Sequence, residues 1–156
     1  MPCYFVDTSA LVKRYLPETG SEWILDLFER DGATFGISSI TVVELASTLG
    51  RKRREGAIDD VQRDTQFRQF LLDSADIEIV PVDEELIIQT SQVLLSGLSA
   101  ARLRSLDALQ LASARRWFEK QRAVNIEPGV FVVADEPLRL LAGELGFRTE
   151  DPEAYA

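Results

Sequence analysis

Apolar residues fall along the chain in short runs with strand-like and helix-like spacing, and the runs predict strands alternating with helices. Cys3 to Val6 is a continuous apolar run ending in Asp7, the pattern of a strand buried on both faces. Ala10 to Leu16 reads as a short helix stopped near Pro17, and Ser21 to Arg30 as a second, with Ser21 as N-cap and Gly32 just past its end. Thr34 to Ile37 predicts a second strand. Ile40 to about Arg54 predicts a helix ended by Gly56, and Asp59 or Asp60 starts another that runs to about Leu72. Ile77 to Val82 alternates and predicts a third strand; Asp83 then caps a helix to about Ser96. Leu103 to about Arg122 is the longest predicted helix, and Val130 to Val133 the fourth strand. A last helix follows Asp135, with Leu138, Leu141, Ala142 and Leu145 on one face and Gly146 as its stop; Phe147 opens a short edge strand.

Short apolar strands separated by helices imply an α/β fold with a mainly parallel sheet of four to five strands, covered on both faces. No repeat, linker or low-complexity stretch divides residues 1–156, so a single domain is expected. In such sheets ligands bind beyond the carboxyl ends of the strands. Acidic residues that directly follow a strand are therefore in the right place for chemistry.

Composition narrows the chemistry. The chain has no histidine, which excludes Ser-His-Asp and Cys-His catalysis, histidine zinc sites and paired-imidazole RNA cleavage. Its one cysteine, Cys3, excludes an internal disulfide and a cysteine zinc cage. The formal charge of −9 argues against a general nucleic-acid binder, unless metal ions neutralise the contact site. No apolar run approaches the roughly 18 residues of a membrane helix, and the opening residues lack the regions of a signal peptide, so a cytoplasmic protein with no membrane partner is expected. What remains is carboxylate chemistry, with a hard cation as the natural companion.

Five acids stand out. Asp7 follows the first strand and Asp135 the fourth, and each is also suited to cap the next helix. Asp83 has the same local grammar, and periodicity alone does not separate it from Asp7. Glu44 lies inside a helix at the margin of an apolar stripe of Val42, Leu45, Ala46 and Leu49. A carboxylate there needs a partner, and a structural salt bridge is the plainer alternative. Asp107 continues the stripe of Leu111, Ala114 and Phe118, where it also suits a helix dipole. If Asp7, Glu44, Asp107 and Asp135 met within about 5 Å, each ionised pair would repel by roughly 3 kcal/mol at an effective dielectric of about 20. Six pairs would cost on the order of 15–20 kcal/mol, tolerable only with protonation or with divalent cations among them. All-oxygen ligation favours Mg²⁺ or Mn²⁺.

At these residues the chain resembles the PIN-domain family, and most closely the VapC toxins of VapBC toxin–antitoxin systems. The segments that carry the resemblance are Asp7-Thr8-Ser9-Ala10-Leu11-Val12-Lys13, Ser39-Ile40-Thr41-Val42-Val43-Glu44-Leu45, Leu106-Asp107-Ala108-Leu109-Gln110-Leu111-Ala112-Ser113-Ala114 and Phe131-Val132-Val133-Ala134-Asp135 with Pro137-Leu138. Their order and spacing match over the whole chain. The resemblance implies a three-layer α/β/α, Rossmann-like fold and a nuclease site of Asp7, Glu44, Asp107 and Asp135 holding Mg²⁺ or Mn²⁺. It leaves Asp83 as a helix cap. Ser9 matches the hydroxyl two residues after the first acid, suited to bond Asp7 or a metal-bound water, or to cap the helix. The family often has Thr or Ser two residues before the last acid, where this chain has Val133.

The implied activity is endoribonuclease hydrolysis of RNA, as the toxin of a type II toxin–antitoxin pair, with a cognate antitoxin and a homodimer as partners. Lys13 and Arg14, one turn after Asp7, are candidate RNA-phosphate contacts or simply exposed; Arg51-Lys52-Arg53-Arg54 is the only dense basic run, which could hold RNA phosphates but better suits a solvated helix end. Trp23, Phe28, Phe67, Phe70, Trp117 and Phe118 read as core or interface. Two other classes compete: a PIN-like binding or regulatory domain without catalysis, and an aspartyl-type phosphatase. The commonest site of the latter needs an acid where this chain has Ser9.

Overall fold

The computed structural model describes residues 1–96, 103–124 and 128–155. Five strands form one parallel sheet: β1 (Cys3–Val6), β2 (Thr34–Ser38), β3 (Glu78–Val80), β4 (Val130–Val132) and β5 (Arg148–Glu150), in the spatial order β3-β2-β1-β4-β5. β1 is central. It pairs with β2 from Cys3↔Thr34 to Phe5↔Gly36, and with β4 from Tyr4↔Val130 to Val6↔Val132.

Alternation along these strands explains the three layers. Tyr4, Val6, Phe35, Ile37, Val130 and Val132 enter one core, shared with Leu11, Ile24, Leu45, Leu49 and Phe70. Those partners come from helices α1 (Thr8–Leu11), α2 (Ser21–Phe28), α3 (Ile40–Arg54) and α4 (Asp60–Asp73). Cys3, Phe5, Phe131 and Val133 enter the other core, with Leu111, Trp117, Phe118, Leu138 and Leu141 from α6 (Ser105–Arg122) and α7 (Glu136–Glu144). α5 (Glu84–Leu95) packs against α6. A central strand with both faces covered must be apolar at every position, and β1 is. Trp117 lies so close over β2 that a Cβ at Gly36 would meet its ring at 2.5 Å.

The three-layer α/β/α fold and the parallel sheet agree with expectation, as does the core placement of the aromatic residues. Differences are local. The first helix starts at Thr8, because Asp7 caps it, and tightens into a 3₁₀ turn at Val12–Arg14. The second starts after Gly20 (φ +87°) rather than on a Ser21 cap. Ser21 Oγ instead accepts from the Glu18 N–H and donates to the Leu16 carbonyl. A Cβ at Gly20 would stand 2.8 Å from the carbonyl carbon of Pro152, so close packing against the C-terminal turn and a left-handed backbone both require glycine. β3 pairs over Glu78–Val80 only, an edge strand that ends at Pro81. Among the described residues no helix is long and apolar enough to cross a membrane.

Candidate active site

The register of the sheet brings the first and last acids to one edge. Val6 pairs with Val132, and the Asp7 N–H donates to the Val132 carbonyl at 2.9 Å. Asp7 thus leaves β1 beside the point where the chain leaves β4 for Asp135. Glu44 sits in the second turn of α3, two residues removed from β2 at its start, and Asp107 in the first turn of α6. All four line a single cleft of about 780 Å³, together with Thr8, Ser9, Arg51 and Arg104.

Asp7 is almost fully buried, at 5% exposure. Its Oδ2 accepts from the Ser9 N–H at 2.9 Å and the Ser9 hydroxyl at 2.6 Å. Burial pushes its pKa up to about 6, against the Ser9 bonds, and the charges of Glu44 and Asp107 push the same way as burial. Ser9 does more than cap: its Oγ also accepts from the N–H groups of Ala134 and Asp135, at 3.0 and 3.1 Å. One hydroxyl therefore ties the first acid to the backbone of the last.

Glu44 makes no salt bridge among the described residues. Its Oε1 accepts from Thr8 Oγ1 at 3.1 Å and from Gln110 Nε2 at 2.7 Å. Gln110, 1% exposed, also donates toward Thr8 and Thr41. The carboxylate fixes which end of the amide faces it, since the amide oxygen there would oppose a negative charge. Asp107 is half-buried, and burial raises its pKa against the nearby Arg104, with Asp135 adding to the rise. Asp135 Oδ1 caps α7 through the Leu138 N–H at 2.9 Å. Val133, where a hydroxyl was expected by resemblance, is fully buried in the core, so Asp135 takes its orientation from this cap and from Ser9.

Asp83 caps α5 through Leu86 and pairs with Arg116 at 2.9 Å; it does not line the cleft. Lys13 and Arg14, expected as phosphate contacts, lie outside the cleft in ion pairs of their own. Lys13 is buried, held by Glu18 at 3.0 Å and Glu153 at 2.7 Å. Arg14 pairs with Asp73 and stacks over Phe28 at 4.4 Å. Neither lines the cleft, because the 3₁₀ turn that carries them points them elsewhere. From the basic run, Arg51 lines the cleft, whereas Arg53 pairs with Asp60.

Sequence reading missed Thr8, Gln110 and Arg104. Gln110 and Arg104 each lie three residues from Asp107 on the same helix or its cap, a spacing that puts them on its face. A glutamine between Leu109 and Leu111 was the available signal.

As they stand, no three of the described carboxylates close on one point as a metal cage would. The donor set nevertheless fits a hard divalent cation in kind and in charge. It is all oxygen, it surrounds one open cleft, and Asp7 is strained toward its protonated form by burial and by its acidic neighbours.

Comparison with known proteins agrees with the fold. No curated protein matches the sequence. Among solved structures, the sarcin–ricin-loop-cleaving toxin VapC20 of Mycobacterium tuberculosis matches with a TM-score of 0.66 and 16% identity, over 92% of this chain and 95% of that one. VapBC2 of Rickettsia felis, bound to a DNA fragment from its promoter, gives 0.58 and 15%, over 96% and 98%. DNA-bound VapBC of Salmonella typhimurium gives 0.56 and 19%, over 97% and 99%. These likenesses establish the fold. The PIN domain family itself matches residues 4–120, from the first strand through the helix that carries Asp107, and the chain belongs to that family.

Proposed function

We propose that this chain is a metal-dependent endoribonuclease and the toxin of a type II toxin–antitoxin pair. The observation that carries the reading is the convergence of Asp7, Glu44, Asp107 and Asp135, from four separate elements, on one cleft at the carboxyl edge of the sheet. Membership of the PIN family supports nuclease chemistry for such a site.

The four acids would hold Mg²⁺ or Mn²⁺. Such a cation, when bound, supplies Lewis acidity that lowers the pKa of an attacking water and offsets charge on the phosphate oxygens. The chain's own groups hold the carboxylates ready. Ser9 fixes Oδ2 of Asp7, while Thr8 and Gln110 fix Oε1 of Glu44. Attack of water at phosphorus forms one P–O bond and breaks the bond to the 3′ oxygen, leaving a 5′ phosphate and a 3′ hydroxyl. Structural neighbours that are VapBC and FitAB assemblies support a cognate antitoxin as partner. A homodimer and a cytoplasmic location belong to the same proposal.

The test is sequencing of RNA ends after brief expression of the intact chain, of Asp7→Ala and of Asp83→Asn. The intact chain and Asp83→Asn should generate the same new 5′-phosphate ends, and Asp7→Ala none. Cleavage by Asp7→Ala at the parental rate would refute the proposal. Absence of both RNA cleavage and Mn²⁺ binding by the intact chain would instead mark a binding domain that kept the fold without the chemistry.

A further inference from the structure

Arg104 is the one basic side chain of the described cleft that touches two of its acids. It stands at the N-cap of α6, with Nε 3.3 Å from Asp107 Oδ2 and Nη2 3.9 Å from Asp135 Oδ2. Arg51, the other basic residue lining the cleft, pairs with Glu55 of its own helix.

Among the described residues the Arg104 contacts are longer than most other ion pairs, matched by Arg51–Glu55 at 3.3 Å, Arg139–Asp151 at 3.7 Å and Arg116–Glu85 at 3.8 Å. Lys13–Glu153, Arg53–Asp60 and Lys120–Glu78 close to 2.7, 2.8 and 2.6 Å. Arg104 reaches its two acids at longer range, and its side chain is 74% exposed. A long, exposed pair adds little stability and is readily exchanged. Yet the guanidinium spans acids from two different elements, in the cleft where like charges most need a counterion. A dication drawn to the same oxygens and a guanidinium already on them must compete, because each raises the energy of the other through charge repulsion.

We infer that Arg104 is an exchangeable cation of the cleft: it neutralises Asp107 and Asp135 until a divalent ion takes its place, and its freed guanidinium then grips the RNA phosphate. This inference rests on the cleft being a metal-dependent RNA site. The planar fork of arginine suits the second role, since it matches a phosphate through two parallel N–H donors. Arg104 is here a substrate-positioning residue whose resting place is the metal site.

Calorimetric titration of Mn²⁺ into the full chain, Arg104→Gln, Arg104→Lys and Asp7→Ala tests it, with steady-state cleavage of an RNA oligonucleotide beside it. Arg104→Gln should bind Mn²⁺ about three- to tenfold more tightly, the order expected when one unit charge is removed from beside a dication in a wet cleft. Arg104→Lys should stay near the parental affinity. For RNA the direction reverses: Arg104→Gln should raise KM by roughly tenfold, the loss of one charged phosphate contact, with kcat changed less. Tighter metal binding together with weaker substrate binding is a pattern that a merely structural role does not produce. Unchanged or weaker Mn²⁺ binding by Arg104→Gln, with parental binding intact and abolished in Asp7→Ala, overturns the role of Arg104 and leaves the metal site standing. An unchanged KM overturns the transfer to phosphate. No Mn²⁺ binding by the parent overturns both this inference and the reading beneath it.

Discussion

Replacing Asp7 by Asn should make the metal-free protein more stable while abolishing its activity. Asp7 is 5% exposed, and burial first, then the charges of Glu44 and Asp107, raise its pKa from 3.8 to about 6 despite the two Ser9 bonds. In the unfolded chain the group ionises near its ordinary value. Between the two values the folded state therefore holds the proton more tightly than the unfolded state does. The stability this group contributes is complete below about pH 3.8, declines as pH rises, and is lost above about pH 6. At about 1.4 kcal/mol per pH unit, the ionised carboxylate costs the fold up to about 3 kcal/mol at pH 7.5, and roughly 1 kcal/mol at pH 4.5. Asparagine keeps an acceptor for Ser9 and carries no charge, so it escapes most of that cost.

For a domain of this size, 1 kcal/mol moves Tm by about 2–4 °C. In chelator at pH 7.5, Asp7→Asn should melt up to about 6–12 °C above the parent, and the gap should shrink to a few degrees at pH 4.5. Carboxylates remote from Asp7 titrate alike in both proteins, so the difference between the two melts reports position 7 together with its coupling to Glu44 and Asp107. Added Mn²⁺ should raise the melting temperature of the parent and leave Asp7→Asn unmoved. A variant that melts at or below the parent at pH 7.5, or a gap that ignores pH, would refute the reasoning.

Two further outcomes follow from the same contacts. Lys13→Met should lower stability by about 1–2 kcal/mol, since Glu18 and Glu153 lose their shared cation but remain partly exposed, while RNA cleavage per folded molecule stays parental; a selective rise in KM would restore Lys13 as a phosphate contact. Ser9→Ala should cost about 1–3 kcal/mol in urea denaturation, because the N–H groups of Ala134 and Asp135 lose their acceptor. Ser9→Thr should recover most of that loss, and equal stability of parent and Ser9→Ala would deny the link between Asp7 and the β4–α7 turn.

Much of the fold was legible because its signals are local. A run such as Cys3–Val6 has to be central and covered on both faces, and an aspartate after it has to fall at the carboxyl edge. Glycines at 32, 56 and 146, each with positive φ, end the segments they were expected to end. The sequence was least legible where distant residues decide. Ala46 looked like part of a buried stripe, but α3 buries Thr41, Leu45 and Leu49, and leaves Ala46 facing out. Lys13 looked poised for phosphate because its neighbour in sequence is the Asp7 turn; its partner Glu153 is 140 residues away. Asp83 and Asp7 share one local grammar that periodicity does not separate; the resemblance left Asp83 as a cap, and its bonds to Leu86 and to Arg116, presented from α6, agree.

The kind of partner an acid has separates the cleft from that scaffold. Outside the cleft several carboxylates are met by cations: Asp73 by Arg14, Asp60 by Arg53 and Arg63, Glu78 by Lys120, Asp83 by Arg116. Among the described residues Asp7 and Glu44 are held only by neutral donors, from Ser9, Thr8 and Gln110. A neutral donor fixes a carboxylate in place and leaves its charge uncancelled, whereas a guanidinium or ammonium fixes it and cancels the charge as well. For stability alone the second arrangement, or an apolar residue, would serve better, since a buried anion without a counterion is costly. A fold that orients two acids with uncharged groups, and bridges the other two with a loosely held arginine, keeps its negative charge available. Charge left available in this way is what the proposed divalent cation would need, and positions after strands and helix starts do not supply it on their own.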